Sequence, residues 1–263
     1  MTVLDKIATA TRQRVQKYQA ELSLGMLKSS IQSVGRQPQD FRSFFAGPGF
    51  NVIAEIKLAS PSKGLIAPDL LPLDVAKDYL NHGATALSVL TEPEFFKGDI
   101  VNLQKIRYAH PNAALLMKDF ILDPYQVYLG HAMGADACLL MASLLDEKQL
   151  ETMYQTALTI GLTPLVEVHN HAEMQRAKSL GAQLIGINNR NLKTLEVDLS
   201  CGEELIQEAP KEATVICESG LSTGADLQRM RQAGFHGFLI GSHLMASGTL
   251  GQALEKLLMA ADP

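Results

Sequence analysis

An α/β fold, a single (β/α)8 barrel of the TIM type preceded by an N-terminal helical extension over residues 1–49, is what this sequence predicts, on three observations. The chain has 263 residues, and barrels of this kind use about 250 residues as one domain. From Phe50 onward short β-prone runs alternate with longer amphipathic stretches, the pattern of parallel strands joined by right-handed crossovers. The joint between helix and strand also recurs: His82-Gly83-Ala84, Met133-Gly134-Ala135, Leu180-Gly181-Ala182 and Ala233-Gly234-Phe235 are versions of one architectural unit, though not a strict repeat.

Taken in order, residues 1–49 read as two helical segments and a loop, with Ile7, Val15, Tyr18 and Leu22 giving the first a partial apolar face. This extension could close one mouth of the barrel, and no Pro/Gly/Ser-rich linker separates it, so residues 1–263 are read as one domain. The eight strands are expected at 52–56, 86–90, 114–118, 137–141, 164–168, 184–187, 214–218 and 237–240. Between them the 3.6-residue period is visible in Leu73, Val75, Ala76, Tyr79 and Leu80, and again in Leu227, Met230, Arg231 and Ala233. Gly83, Gly134, Gly161, Gly181 and Gly234 are placed to end helices in the left-handed conformation.

Composition narrows the function. With 46% hydrophobic and 19% charged residues the chain can bury a sizeable core. A net charge of -5 without any Lys/Arg-rich run argues against nucleic acid as the partner, because such binding rests on neutralising phosphates, but leaves room for one small phosphate. No apolar run approaches the roughly 20 residues of a membrane span. Asp5, Lys6, Arg12 and Arg14 break up any signal-peptide core, so no membrane association and a cytoplasmic location are expected. Cys138, Cys201 and Cys217 are too scattered for a disulfide framework or a zinc site, and Cys138 and Cys217 lie in apolar runs that belong to the core. A monomer is compatible with this pattern, which does not fix the oligomeric state.

In such barrels the chemistry sits at the carboxyl ends of the strands. Glu55 and Lys57, two apart on the first strand, point the same way and need each other inside a barrel. Lys118-Asp119 ends the third strand, Glu167 lies on the fifth, Asn188-Asn189-Arg190 ends the sixth and Glu218-Ser219-Gly220 the seventh. One buried ion pair could be structural, but so many charges converging on one mouth point to a site, since buried pairs stabilise little. Ser219-Gly220 and Gly241-Ser242, the latter before a helical segment starting near His243, are placed where these barrels bind phosphate through backbone N–H groups. The first loop, Ala59-Ser60-Pro61-Ser62-Lys63-Gly64, reads either as a lid over substrate or as a solvated turn. His169-Asn170-His171 is expected to be a surface segment or helix start rather than a metal site, and Met133, Met141 and Met153 to fill the core.

The run Val52-Ile53-Ala54-Glu55-Ile56-Lys57 continuing into Ala59-Ser60-Pro61-Ser62-Lys63-Gly64 resembles the signature of indole-3-glycerol-phosphate synthases. The resemblance continues through residues 87–92, Phe95-Phe96-Lys97-Gly98, Lys118-Asp119-Phe120, residues 165–169, residues 186–192, Glu218-Ser219-Gly220 and residues 239–242, nearly the whole chain. Met117, Asn191 and His243 depart from the family's usual residues without removing a catalytic position. The resemblance implies ring closure, decarboxylation and dehydration of 1-(2-carboxyphenylamino)-1-deoxyribulose 5-phosphate, a phosphorylated small molecule, to indole-3-glycerol phosphate, without metal, redox centre or organic cofactor. It implies Lys118 as general acid on the ketone oxygen, with its pKa lowered by desolvation and neighbouring charge, and a second acid and a base among Lys57, Glu55 and Glu167. Asn188 and Glu218 would hold substrate hydroxyls or amine, and Arg190 would orient the carboxylates. Ser60, Ser219, Gly220, Gly241 and Ser242 would cradle the phosphate, and Phe96, Phe120 and Pro61 would wall the aromatic ring. Two alternatives stay open: a phosphosugar lyase or isomerase in which Lys118 forms a Schiff base, and a non-catalytic barrel retained as a scaffold.

Overall fold

The computed structural model describes residues 2–61 and 63–262, and Ser62 of the first loop therefore lies outside the described residues. Eight parallel strands close into a barrel: β1 (Asn51–Ile56), β2 (Ala86–Leu90), β3 (Leu115–Lys118), β4 (Ala137–Met141), β5 (Thr163–Val168), β6 (Leu184–Asn188), β7 (Thr214–Glu218) and β8 (Gly237–Ile240), with β8 pairing back onto β1. Expected and observed strands agree to within one residue at each end. Strand β6 reaches Asn188 because that residue pairs with Glu218 of β7. One feature was not foreseen as strand: Ala59–Ser60 and Gly64–Leu65 pair antiparallel, folding the first loop into a short ribbon.

The helices are α1 (Val3–Glu21), α2 (Leu24–Val34), α3 (Pro72–Asn81), α4 (Ile100–Ala109), α5 (Pro124–Ala132), α6 (Glu147–Thr159), α7 (His171–Ser179), α8 (Leu199–Ile206), α9 (Gly224–Ala233), α10 (Ser242–Met245) and α11 (Leu250–Ala261). The five glycines expected at helix ends all have left-handed φ, between 71° and 113°. Strand residues are buried on both faces, as a parallel sheet sheathed in helices requires. On β1, Val52, Ala54 and Ile56 face outward into the cluster shared with Val75, Ala76 and Tyr79 of α3, while Ile53 and Glu55 face the barrel interior. Cys138 and Cys217 are buried and Cys201 is half-buried, all as free thiols. Met141 and Met153 are core and Met133 is half-buried against it.

The extension closes the amino-terminal mouth, and small residues make this feasible. Ala86 and Ala137 start β2 and β4 and Ala114 immediately precedes β3, and the space they leave is filled by Phe41 and Phe45 from a 3-10 turn, ring centroids 5.5 Å apart. A Cβ on Gly237 would sit 2.6 Å from the Phe45 ring, so the start of β8 must be glycine for that ring to enter. Higher up, Val15 and Leu27 pack with Tyr125 and Leu129 of α5, and Arg14 of α1 pairs with Asp119 at 2.6 Å.

Asp136, fully buried, ties extension and barrel together. It pairs with Arg36 at 2.9 Å and with Arg107, and accepts from the backbone N–H of Gln39 and of Leu115, each at 3.0 Å. Asp136→Ala strands two half-buried guanidiniums, so unfolding free energy should fall by about 3–5 kcal/mol. The check is a lower denaturant midpoint at unchanged slope; a loss under about 1 kcal/mol would show that water replaces the carboxylate.

Candidate active site

The inward alternation along the strands brings the charged residues to the carboxyl-terminal mouth. Lys57 Nζ pairs with Glu55 Oε1. Lys118 Nζ lies 2.6 Å from Glu218 Oε2 and 3.2 Å from Glu167 Oε2, with both carboxylates almost wholly buried. Two glycines make room for these carboxylates. A Cβ on Gly186 would be 2.1 Å from Glu218 Oε1, and one on Gly241 would be 2.3 Å from Glu55 Oε1. Asn188, beside Glu218 in register, accepts from the Arg190 N–H at 3.1 Å. The structure thus brings Glu55, Lys57, Lys118, Glu167 and Glu218 together, with Asn188 beside Glu218 in register.

Their electrostatics correct one expectation. Burial alone would lower the Lys118 pKa, but Glu218, Glu167 and Glu55 outweigh it and hold the ammonium above the ordinary lysine range. Desolvation was expected to win because sequence does not reveal how many carboxylates touch the amine. Burial would likewise raise Glu167, yet Lys118 and His169 keep it below the usual carboxylate value. Glu55 is lowered in the same way, against its burial, by Lys57 and Lys118. Glu218 goes the other way: burial, with Glu167 close by, pushes it up to about 8 against the pull of Lys118. Glu218, which shares the Lys118 ammonium with Glu167, therefore keeps a proton on the cluster.

A raised carboxyl stabilises the fold most below its unfolded value, and that contribution is lost as pH rises through about 8. Glu218→Gln should therefore gain stability relative to the parent chain as pH rises from about 5 to 9, while losing activity. Denaturant midpoints across that range test this, and a pH-independent difference would refute the raised value.

The residues expected to bind substrate follow the carboxyl ends of barrel strands. Ser60 is buried at the ribbon's start and Pro61 is exposed. The Phe96 and Phe120 rings stand 5.8 Å apart at 40°, forming one aromatic wall. Glu92, which sequence reasoning passed over, positions Phe96: its buried carboxylate accepts from the N–H groups of Glu94, Phe95 and Phe96 at 2.7–3.0 Å. After β7, Ser219 and Gly220 are both left-handed, with φ of 67° and 88°. A Cβ on Gly220 would also lie 2.8 Å from Val197. Asn189 pins this turn, donating to the Glu218 and Ser219 carbonyls at 3.0 and 3.2 Å. Gly241 precedes the one-turn helix α10, which Ser242 begins.

Two expectations differ. Arg190 donates to the Leu195 carbonyl of its own loop at 2.8 Å and, among the described residues, forms no ion pair with Glu55, Glu167 or Glu218, because the chain turns back at the Arg190–Val197 bridge. Of the His169-Asn170-His171 segment, His171 is exposed at the start of α7 and Asn170 caps that helix, but the His169 side chain is only 7% exposed and meets Glu167. Among the described residues no group of three or more His, Cys, Asp or Glu side chains is arranged to hold a metal ion.

Comparison with known proteins fits this geometry. The chain is 41% identical to an indole-3-glycerol phosphate synthase from Ruminiclostridium cellulolyticum over 97% of its own length and 98% of that protein. It is 47% identical to one from Polaromonas naphthalenivorans over 78% of each. Among solved structures, a 3-hexulose-6-phosphate synthase from Salmonella typhimurium superposes with a TM-score of 0.60 at 12% identity, covering 80% of this chain and 99% of that one. A thiamine phosphate pyrophosphorylase from Pyrococcus furiosus gives 0.59 at 15%, covering 81% and 95%. At such identities these two share the barrel alone. A family model described as indole-3-glycerol phosphate synthase matches residues 4–257, and the chain belongs to that family.

Proposed function

We propose that this barrel converts 1-(2-carboxyphenylamino)-1-deoxyribulose 5-phosphate into indole-3-glycerol phosphate, carbon dioxide and water, the ring-closing step of tryptophan biosynthesis. The observation that carries this reading is Lys118, a half-buried ammonium between the buried Glu167 and Glu218 at the mouth that also holds Glu55 and Lys57. In ring closure the aromatic carbon bearing the carboxylate attacks the ribulose ketone, and negative charge grows on the ketone oxygen. A protonated Lys118 meets that oxygen and gives it a proton. Loss of carbon dioxide returns the electron pair to the arene. The new hydroxyl then departs as water with a proton from Lys57, which Glu55 orients, and a ring proton passes to Glu167, completing the pyrrole.

Asn188 and Glu218 hold the substrate's hydroxyls and amine. Ser60, Ser219, Gly220, Gly241 and Ser242 hold the phosphate through hydroxyls and backbone N–H groups. Phe96, Phe120 and Pro61 pack on the anthranilate ring, and Arg190 exchanges the Leu195 carbonyl for the substrate's carboxylate. Residues 1–263 act as one domain, supported by Phe41 and Phe45 filling the barrel from the extension. Three free cysteines support a reducing, cytoplasmic setting. No helix among the described residues is long and apolar enough to cross a membrane.

The Schiff-base alternative needs a neutral amine, and three carboxylates oppose that state at Lys118. The test is to add the substrate to purified protein and follow indole fluorescence, for which a chain without Trp gives little background. Appearance of indole-3-glycerol phosphate is expected. A folded protein that makes none would refute the reading, and borohydride trapping of a substrate adduct would favour the Schiff base.

A further inference from the structure

The charged cluster does not end at the barrel interior. His169 follows Glu167 by two residues, so it shares its inward direction at the end of β5. Its Nε2 lies 3.3 Å from Glu167 Oε1 and its Nδ1 lies 3.2 Å from Glu173 Oε2. The His169 backbone N–H also donates to Glu173 Oε2 at 2.8 Å, so one carboxylate fixes both the backbone and the ring. Glu173 is itself held: Asn170 Nδ2 donates to its Oε1 at 2.7 Å, and its N–H donates to Asn170 Oδ1 at 3.0 Å in the first turn of α7. The resulting order is Lys118, Glu167, His169, Glu173, running from the reacting mouth to a helix start.

Charge counting gives this order a purpose. Glu167 of β5, Glu173 of α7 and Glu218 of β7 act on the imidazole, Lys118 of β3 lies one step beyond through Glu167, and Cys201 of α8 donates to the His169 carbonyl at 3.8 Å. With the proton held on Glu218, the ionised Glu167 and Glu173 outnumber Lys118, and a protonated imidazole supplies the second cation.

We infer that His169 is a positioning residue: as an imidazolium clamped by Glu173, it keeps Glu167 ionised through its charge at 3.3 Å, and the reaction slows when that proton is lost. The inference rests on the proposed synthase reaction. Burial disfavours the imidazolium, but the hydrogen bond to Glu173 and the charge of Glu167 raise the His169 pKa above its ordinary value. Its cation is therefore present below that raised value and lost as pH rises through it, giving kcat a basic limb.

Three measurements test this. His169→Asn keeps a polar side chain without the charge, and kcat near neutral pH should fall about 10- to 100-fold with KM within about threefold, while the limb due to His169 disappears. Glu173→Gln weakens the clamp without touching Glu167, and the same limb should move to lower pH. The His169 ring protons of the parent chain, followed by NMR, should titrate above the ordinary histidine value of about 6.5 and together with the limb. A His169→Asn variant whose kcat profile superimposes on the parent's, with only stability reduced, overturns the inference. So does a limb unmoved by Glu173→Gln, or a ring that titrates at or below the ordinary value. If His169→Asn does not fold, the other two measurements decide. A parent chain that makes no indole product sinks the synthase reading instead, and the ring titration, read without substrate, separates the two failures.

Discussion

Lys118→Met lowers kcat by about 10²- to 10⁴-fold, with a much smaller change in KM, if this lysine is the acid of ring closure. The side chains are of similar length, so the aromatic wall is undisturbed and the change is confined to one ammonium. Two effects add. The proton donor at the growing alkoxide is lost, and Glu167 and Glu218 lose the cation at 3.2 and 2.6 Å that shapes their ionisation. Without it both carboxyls titrate higher, since burial already pushes that way. The residual activity of the variant should therefore rise with pH across the neutral range, where Glu167 regains its charge as it deprotonates. Steady-state kinetics over about pH 6–9 measure both effects. A kcat within about tenfold of the parent would transfer the ring-closing proton to Lys57 and leave Lys118 as an electrostatic partner.

The fold was legible because its determinants are local and repeated. A glycine that ends a helix shortly before a β-prone run announces five of the β-α units, and all five glycines take the left-handed conformation expected of them. Glu55 and Lys57 were legible as a pair because residues two apart on a strand face one way. The same rule would have found His169, two beyond Glu167, but its neighbours Asn170 and His171 read as a polar surface and concealed it. Arg190 and the raised Lys118 pKa were beyond reach for a different reason. The Lys118 pKa depends on distances between strands far apart in sequence, and a residue list gives charges without their separations, while the Arg190 side chain is held by a carbonyl that its own loop offers only once it has turned back. Glu92 and Asn189 act by accepting from or donating to backbone groups, a role that a strand-end polar residue does not advertise. The closure of the amino-terminal mouth was foreseen in outline only. Which aromatic rings enter it follows from three alanines and Gly237 acting together.

Gly186→Ala tests the geometry of the site with a single methyl group. The added Cβ would lie 2.1 Å from Glu218 Oε1 and 3.1 Å from its carboxyl carbon, closer than packed atoms allow, so something must move. Leu165 backs the methyl at 3.4 Å and the strand is held on both sides by β5 and β7, so the backbone has little freedom. The carboxylate moves instead, away from the position in which it meets Lys118 at 2.6 Å. A misplacement of about 1 Å at a reacting group can cost on the order of 10²-fold in rate, and kcat should fall by about that much. Stability should change little by comparison. Alanine restricts the unfolded chain, which favours folding by about 0.4–1 kcal/mol, and this partly offsets the crowding. The separation of the two effects is the informative part: an inactive but stable variant places the cost on Glu218, whereas a variant active to within about threefold would mean that Glu218 works equally well from another rotamer. In that case the carboxylate's role is set by what the substrate brings to it rather than by its contact with Lys118.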